Sequence, residues 1–327
     1  MSILVTGATG FIGRNLVHQL MARGENVHIL CRPTADISAF TGKNIRIFPG
    51  DILETPTIER AMEGCARVFH IAAYAKNWAK DPKTYVEVNV RGLKNVLDMA
   101  MKKNVRRIVF TSSEVTFGPS SDCPVDETTK RNAKFFTDYE YSKYLAEQEV
   151  CRTGDQQPDI ITVNPSRVFG PGLLNEGNSV TRMIQLYLQG KFRLLLGDGS
   201  GMGNYAFVDD VVRGHLLAME RGKRGERYIL GGENVSYSNF FRSLSEISGK
   251  KRLMFHVPSP VAMGISYVEE FRSKVFSHYP MITPGWVRTF LADWECSSEK
   301  GQRDLAYSVT PFRTALQITV DWLFQQN

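Results

Sequence analysis

Hydrophobic and polar positions along this chain predict short buried β-strands separated by amphipathic helices. Helical spacing of apolar residues is seen at Leu16, Val17 and Leu20, and again in the longer series from Val86 to Met101. The predicted strands are the mostly apolar runs at residues 3–5, 27–30, 45–48, 68–71, 107–111 and 160–163. Strands that alternate with helices are typical of an α/β fold, in which helices cover both faces of a doubly wound parallel sheet.

The regular alternation ends near residue 170, where glycine and proline become frequent. We predict that residues 1–169 form the doubly wound domain and that residues 205–230 return to it. Residues 170–204 and 231–327 then form a smaller, mixed α/β lobe. No flexible linker lies between these ranges, so the two lobes are expected to pack together and to leave a cleft between them.

Composition excludes several classes of protein. The chain has 327 residues, of which 43% are hydrophobic, and its 40 basic and 34 acidic residues give a formal charge of +6. That balance is far from the low hydrophobicity and high net charge of disordered chains. No apolar run reaches the roughly 18 residues of a spanning helix, and the first residues do not resemble a signal peptide. We therefore expect a globular, cytoplasmic protein with no membrane partner.

Cysteine and basic residues point to neither a metal site nor a nucleic-acid surface. The five cysteines are scattered singly, without CxxC pairs or Cys/His clusters at ligand spacing, so free thiols and no bound metal are expected. Short basic clusters interrupt apolar segments and do not form one stripe. Such a surface favours a small anionic ligand over nucleic acid.

A glycine motif near the start of the chain predicts a dinucleotide-binding turn. In the segment TGATGFIG, residues 6–13, three glycines are three residues apart, after the first strand and before the first helix. Gly7 permits the tight turn, Gly10 lets a pyrophosphate approach the backbone, and Gly13 allows close packing of the helix. The helix N-terminus adds free N–H groups and a positive dipole. The predicted pyrophosphate-binding residues are Gly7, Thr9, Gly10, Phe11, Ile12 and Gly13.

The end of the second strand favours NADP(H) over NAD(H). Proteins that bind NAD usually place an acidic residue there for the ribose hydroxyls, whereas this chain has Cys31-Arg32 and no acid before Asp36. Because the Arg32 guanidinium suits a 2′-phosphate and the adenine face, we predict NADP(H) as the preferred cofactor, with NAD(H) as the alternative. Asp51-Ile52, after the third strand, is placed to contact the adenine, although Asp51 also suits a helix cap.

A YxxxK pair supplies the candidate catalytic group. Tyr139 and Lys143 are four residues apart, which places both side chains on one face of a helix. A tyrosine, with a pKa of about 10, needs a neighbouring cation to ionise at neutral pH, and Lys143 can supply that charge while also holding a ribose. Ser113, after the strand that ends at Thr111, would hydrogen-bond the substrate oxygen while Tyr139 exchanges a proton with it. A second YxxxK match, at residues 187–191, contains a glycine and lies outside the regular alternation.

Eight motifs in chain order carry a resemblance to a known family. They are TGATGFIG, Asp51-Ile52, His70-Ile71-Ala72-Ala73, Asn89-Val90-Arg91-Gly92, Phe110-Thr111-Ser112-Ser113, Tyr139 with Lys143, Asn164-Pro165-Ser166 and Phe207-Val208-Asp209-Asp210. Over nearly the whole chain these motifs resemble the extended short-chain dehydrogenase/reductase family, also called the NAD-dependent epimerase/dehydratase family. Other segments, including Cys31-Arg32-Pro33 and Val168-Phe169-Gly170-Pro171-Gly172, are most similar to the bacterial dihydroflavonol 4-reductase-like branch.

This resemblance implies a Rossmann domain and NADPH-dependent carbonyl reduction, or the reverse alcohol oxidation, by a Ser-Tyr-Lys group. It also implies that Ala72 and Ala73 lie beside the adenosine ribose and that Pro165 and Val168 lie beside the nicotinamide. In one respect the chain departs from the family. Sugar dehydratases of the family carry an Asp-Glu pair after the catalytic hydroxyl, where this chain has Glu114-Val115. Dehydration is therefore disfavoured, whereas epimerisation needs only a bound nicotinamide and the same tyrosine.

The leading hypothesis is an NADP(H)-dependent oxidoreductase that reduces a ketone or aldehyde, or oxidises a secondary alcohol, with Ser113, Tyr139 and Lys143 as catalytic residues. The alternative is a nucleotide-sugar epimerase with tightly bound NAD, and a third hypothesis is a non-catalytic nicotinamide-binding redox regulator. A small-molecule carbonyl or alcohol is the expected partner. Helices around residues 84–102 and 139–151 could pair across a two-fold axis to form a homodimer, as they do in many relatives.

Overall fold

The computed structural model describes residues 1–76, 78–154, 158–276 and 278–326. Its first half alternates strands and helices in the predicted way. The elements are β1 (Ser2–Thr6), α1 (Phe11–Ala22), β2 (Val27–Cys31), β3 (Ile45–Pro49), α2 (Thr55–Met62), β4 (Cys65–His70), α3 (Lys83–Val86), a π-helical turn (Glu87–Arg91), α4 (Gly92–Lys102), β5 (Arg107–Thr111), a 3₁₀ turn (Glu114–Phe117), α5 (Asp138–Thr153) and β6 (Asp159–Pro165).

The second half is less regular and contains shorter strands. Its elements are β7 (Arg167–Phe169), a 3₁₀ turn (Glu176–Asn178), α6 (Ser179–Leu188), β8 (Leu194–Leu196), β9 (Met202–Phe207), α7 (Val208–Arg221), β10 (Arg227–Leu230), β11 (Glu233–Ser236), α8 (Tyr237–Ser248), β12 (Phe255–Val257), α9 (Ser259–Phe276), α10 (Pro284–Leu291), α11 (Glu299–Leu305) and α12 (Phe312–Gln325). Among the described residues, no helix combines the length and apolar character needed to cross a bilayer.

Seven parallel strands form the central sheet, in the order β10-β6-β5-β4-β1-β2-β3. This is the strand order of a doubly wound Rossmann sheet with one strand added at the β6 edge. The predicted α/β fold is therefore confirmed. One connection differs from the regular alternation, because residues 32–44 between β2 and β3 form turns and no helix.

Each face of the central sheet carries its own hydrophobic core, because successive residues of a strand point to opposite faces. Ile3 and Val5 of β1 pack with residues of α1 and α7, such as Leu16. Leu4, between them, packs on the other face with residues of α2 and α4, such as Leu93. Burial on both faces explains why these strands are continuous apolar runs in the sequence.

The remaining strands form two small sheets beside the large one. β11, β9 and β7 form one of them, and β12 pairs with β8 in the other. A third core, rich in aromatic residues such as Phe169, Tyr205, Phe240 and Phe312, lies under these strands and the helices α8 and α12. In open α/β sheets, ligands bind at the carboxyl ends of the strands where the strand order reverses. Here that point lies between β1 and β4.

Candidate active site

The loop between β1 and α1 has the geometry of an anion-binding turn. Gly7 has a φ of +74°, and a Cβ there would lie 2.5 Å from the backbone nitrogen of Ala72. A Cβ on Gly13 would lie 2.1 Å from the carbonyl oxygen of Gly7, so neither position admits a larger residue without a shift of the backbone. Helix α1 starts at Phe11 after Gly10, which forms no side-chain cap, and its first turn contains no acidic residue. The free N–H groups of this turn therefore fit a phosphate.

Other predicted cofactor-binding residues surround this loop. Thr9 and Ile12 are half-buried in the loop and in the first turn of α1. Ala72-Ala73 follows β4, the strand next to β1 in the sheet. The N–H of Ile71 donates to the carbonyl oxygen of Thr6 at 3.1 Å, which holds the segment after β4 beside the glycine loop. The fold thus brings the predicted pyrophosphate and ribose segments together.

The end of β2 carries an exposed cation and an acid that is already paired. Arg32 directly follows the strand and is exposed. Asp36 accepts hydrogen bonds from Ser38 at 2.6 Å and from Arg14 at 3.0 Å, and these interactions lower its pKa to about 2. Arg14, on α1, was not predicted as a site residue, because nothing in the sequence pattern brings it to Asp36. Asp36 is exposed as well, so this edge carries the cation of Arg32 beside a carboxylate that is paired with Arg14.

Asp51 and Ile52 lie directly after β3, at the same end of the sheet. The carboxylate of Asp51 accepts a hydrogen bond from the N–H of Leu53 at 2.9 Å and so closes a turn. It does not cap α2, whose N-cap residue is Glu54, so the alternative reading of Asp51 as a helix cap is not observed. Ile52 is buried, and its carbonyl oxygen accepts a hydrogen bond from Asn95 at 3.0 Å. Both residues therefore border the site from fixed positions.

The predicted catalytic residues meet where β5 ends and α5 begins. Ser113 lies just past β5, and its Oγ accepts a hydrogen bond from the N–H of Val115 at 3.5 Å. Tyr139 and Lys143 lie on the first two turns of α5, as their spacing predicts. The Ser113 hydroxyl acts on the phenol of Tyr139 and lowers its pKa, and the Lys143 ammonium donates to the carbonyl oxygen of Thr111 at 2.8 Å. A hydroxyl, a phenol and an ammonium thus occupy one end of the sheet.

Burial determines the protonation of the tyrosine and the lysine. Burial and the charge of Glu114 raise the pKa of Tyr139 to about 12, although its hydrogen bond with Ser113 acts in the opposite direction. Burial also lowers the pKa of Lys143 to about 8, although Glu147 opposes the shift. We expected Lys143 to lower the pKa of Tyr139, but its ammonium is bound to a backbone carbonyl of β5 and burial dominates. Tyr139 therefore keeps its proton at neutral pH and is suited to donate it.

Two charged residues that sequence reasoning did not place in the site lie next to it. Glu114 follows Ser113 and is only 5% exposed, and burial raises its pKa to about 7, although Arg167 opposes the shift. Within the described residues its Oε2 atom has no hydrogen-bond partner. The Arg167 guanidinium, on β7, hydrogen-bonds the hydroxyl of Tyr237 and lies over the rings of Tyr237 and Phe290, at 5.4 and 5.8 Å. Only the fold brings Arg167 near Glu114, since no local motif signals the pairing.

Buried asparagines hold the segments of the site in position. Asn89, in the π-helical turn, accepts from the N–H of Tyr74 at 2.6 Å and donates to Ser142 of α5 at 2.9 Å. It therefore joins the segment after β4 to the helix that carries Tyr139. Asn164, on β6, donates to the carbonyl oxygen of Ser113 at 3.0 Å. The sequence places both asparagines in family motifs, but only the structure shows what they bind.

The two residues predicted to lie beside the nicotinamide are at the point where the central sheet meets the small sheet of β7, β9 and β11. Pro165 ends β6 and is buried, and Val168 is half-buried in β7. Beyond them, the ring of Phe290 lies 5.6 Å from that of Tyr237 and 5.1 Å from that of Trp286. These aromatic residues belong to α8 and α10 of the smaller lobe. They flank Arg167 and form an apolar wall on that side of the site.

Comparison with known proteins agrees with this geometry. A family model described as "Epimerase: NAD dependent epimerase/dehydratase family" matches residues 3–231. A protein of Synechocystis sp. named "Putative dihydroflavonol 4-reductase" is 32% identical, over 99% of this chain and 94% of its own. Sterol demethylase protein B of Methylococcus capsulatus is 31% identical, over 100% of this chain and 99% of its own. The crystal structure of gox2253 is 34% identical, with a TM-score of 0.85 over 100% of this chain and 98% of that one.

These matches extend across both the glycine loop and the tyrosine helix, and two of the relatives also span the smaller lobe. The resemblance read from the motifs is therefore confirmed. The chain belongs to the NAD dependent epimerase/dehydratase family, and it is an NAD(P)-dependent enzyme of the extended short-chain dehydrogenase/reductase type.

Proposed function

We propose that this protein is an NADP(H)-dependent oxidoreductase that reduces a ketone or aldehyde, or oxidises the corresponding alcohol, with Ser113, Tyr139 and Lys143 as its catalytic residues. The observation that carries the proposal is the convergence of these side chains at the end of β5, where the Ser113 hydroxyl acts on the phenol of Tyr139 and Lys143 binds the last residue of the strand. A hydroxyl and a protonated phenol in contact can both bind one carbonyl oxygen, which is the atom that must gain a proton during reduction.

Each residue of the group has a distinct task. Ser113 donates a hydrogen bond to the substrate oxygen and fixes its position. Tyr139 donates its proton to that oxygen as negative charge develops there, and its raised pKa ensures that the phenol holds this proton at neutral pH. Lys143, held by the carbonyl oxygen of Thr111, would donate its ammonium to the ribose of the bound cofactor. When bound, NADP(H) supplies or accepts the hydride.

A preference for NADP(H) is part of the same proposal. The exposed guanidinium of Arg32 supports it, since a 2′-phosphate would find a bidentate partner there. The pairing of Asp36 with Arg14 and Ser38 supports it as well, because these partners compete with ribose hydroxyls for that carboxylate. Glycine-loop geometry supports dinucleotide binding but does not distinguish the two cofactors.

We further propose a substrate that is largely apolar and contains a ring. The aromatic wall formed by Tyr237, Trp286 and Phe290 supports this class. The names of two relatives, a dihydroflavonol 4-reductase and a sterol demethylase protein, also describe ring systems. The buried pair of Glu114 and Arg167 would then contact a polar substituent at the edge of such a ring.

Cofactor analysis combined with a turnover assay tests the proposal. We expect the purified protein to release little or no nicotinamide cofactor on denaturation and to oxidise added NADPH when given a panel of cyclic ketones and aldehydes. Release of stoichiometric NAD, with interconversion of nucleotide sugars and no net NADPH oxidation, would favour the epimerase alternative. Cofactor binding without turnover of either substrate class would favour the redox regulator.

A further inference from the structure

Helix α9 exposes its large apolar residues and buries small ones. The residues it buries are Ala262, Ser266 and Ser273. Seven large apolar side chains on the same helix are at least half exposed, and we call them the α9 face: Val261, Ile265, Tyr267, Val268, Phe271, Val275 and Phe276. A helix that packs only against its own protein has the reverse arrangement. The α9 face is therefore suited to contact an apolar medium outside this chain.

Exposed apolar residues are concentrated around this helix and are not spread over the molecule. Within the described residues, eleven of the eighteen exposed large hydrophobic side chains lie between positions 253 and 281. Phe255 lies in β12, just before α9, and is 51% exposed. Its register partner on the neighbouring strand β8, Leu194, is 57% exposed. Isolated exposed apolar residues are normal, but a cluster of this size marks an interaction surface.

The charges around the α9 face are arranged with the cations outward. Arg272 forms an ion pair with Glu269, in which the arginine side chain is 57% exposed and the glutamate only 12%. Lys274 is 68% exposed, whereas its partner Glu270 is 34% exposed. Residues 249–281 contain five basic and two acidic side chains, and Lys250 and Lys251 are exposed in the loop between α8 and β12. On α9 itself, the charges that point outward are therefore the cations of Arg272 and Lys274.

We propose that the α9 face docks on the surface of a lipid bilayer that contains anionic headgroups. A helix with exposed apolar residues and a cationic border lies in the interface plane of such a membrane, with its apolar side in the acyl boundary and its lysines and arginines at the headgroups. The sequence predicted no membrane partner because it contains no spanning run, but surface docking needs none. A second copy of this chain is a poorer occupant, since a two-fold contact would bring the same cations face to face.

The α9 face lies next to the proposed substrate site. Tyr267 of α9 accepts a hydrogen bond from Arg288 of α10 at 2.9 Å, and α10 also carries Trp286 and Phe290 of the aromatic wall. Docking would therefore place the aromatic wall close to the bilayer, in which an apolar substrate would be dissolved. This last consequence rests on the proposed function, whereas docking itself does not.

Vesicle sedimentation with the full-length chain tests the docking. We expect it to sediment with vesicles of equal parts phosphatidylcholine and phosphatidylglycerol, less with phosphatidylcholine alone, and less with the anionic vesicles when salt is raised. Replacing Arg272 and Lys274 together by glutamine should weaken binding only to the anionic vesicles. Failure of the unmodified chain to bind anionic vesicles at low salt would overturn the proposal, whatever its enzymatic activity.

Paired substitutions locate the contact. The double variant Phe271→Asp with Phe276→Asp should partition into vesicles about tenfold or more weakly. Both phenylalanines are exposed in the free protein and would be buried in the acyl boundary of the bilayer on docking. Phe324→Asp, which changes an exposed phenylalanine of α12, should bind as the unmodified chain does, and NADPH binding should be unchanged in both. Equal loss in both variants would overturn the assignment to α9. Light scattering without lipid gives a second check. If the unmodified chain is a dimer and only the double variant is a monomer, the α9 face is a contact between copies of this chain and the membrane proposal is overturned.

Discussion

Two side chains show how individual residues determine the chemistry of this protein. Arg32 is one of 40 basic residues, yet its position at the end of β2 says more about the cofactor than the net charge does. Glu114 is one of 34 acidic residues, and burial raises its pKa to about 7. In both cases the position of the side chain determines its role. A guanidinium far from the cofactor site could not contact the 2′-phosphate, and a solvated carboxylate would keep its ordinary pKa.

Arg32→Asp should change the choice of cofactor. Loss of a charge-assisted contact with the 2′-phosphate, together with repulsion by the new carboxylate, is expected to lower kcat/KM for NADPH by roughly tenfold to a hundredfold. The value for NADH should change much less. Steady-state kinetics with both cofactors measure this, and Arg60→Asp, an exposed change of the same charge on α2, is the control. Equal effects on both cofactors would contradict the assignment.

Glu114→Gln should alter how stability depends on pH. The pKa of Glu114 is raised from 4.5 to about 7 in the folded chain, so the folded state holds this proton more tightly than the unfolded state. Its contribution to stability is present below pH 4.5 and is lost as pH rises through 7. The neutral variant avoids that loss, which amounts to about 3 kcal/mol.

Urea unfolding at pH 5 and pH 8 measures this difference. We expect the free energy of unfolding of Glu114→Gln to exceed that of the unmodified protein at pH 8, and the difference to shrink at pH 5. Glu87→Gln, which changes an exposed carboxylate, serves as the comparison. A variant whose advantage grows toward low pH would contradict the burial of an uncompensated carboxylate at position 114.

At the scale of single elements, the turn between β1 and α1 was the easiest part of the site to predict. The N–H groups that fit a phosphate come from consecutive residues of one loop. Three glycines between a strand and a helix determine the path of the backbone there. The spacing of Tyr139 and Lys143 on α5 is local in the same way. The π-helical turn from Glu87 to Arg91 was not predicted, since its irregularity depends on the contacts of Asn89 with Tyr74 and Ser142.

Gly13→Ala should disrupt the turn. The new Cβ would lie 2.1 Å from the carbonyl oxygen of Gly7, so the glycine loop and α1 must separate and the N–H groups lose their shared orientation. We expect dinucleotide affinity to fall by at least tenfold, measured by quenching of tryptophan fluorescence or by calorimetry. Gly264→Ala, where a Cβ would have no heavy atom within 4 Å, should leave affinity unchanged. Unaltered binding by the Gly13 variant would show that this turn does not hold the cofactor.

At the scale of the whole molecule, the sequence predicted what depends on neighbours along the chain and missed what depends on long-range packing. The six predicted strands all lie in the central sheet, because each is a buried run with its own pattern. The approach of Arg167 to Glu114 and the exposure of apolar residues on α9 follow from how the elements after β6 pack beside the central sheet. The division of the chain into lobes at residue 169 stays a prediction, as does the homodimer.

The proton donor is the central claim of this account, and the variant Tyr139→Phe tests it most directly. We expect kcat for NADPH-dependent carbonyl reduction to fall by about a hundredfold to ten-thousandfold, with NADPH affinity within a few-fold of the unmodified protein. Tyr141→Phe, an exposed position on the same helix, should keep full activity. Turnover by the Tyr139 variant at the unmodified rate would contradict the mechanism, since no proton would then pass through this phenol.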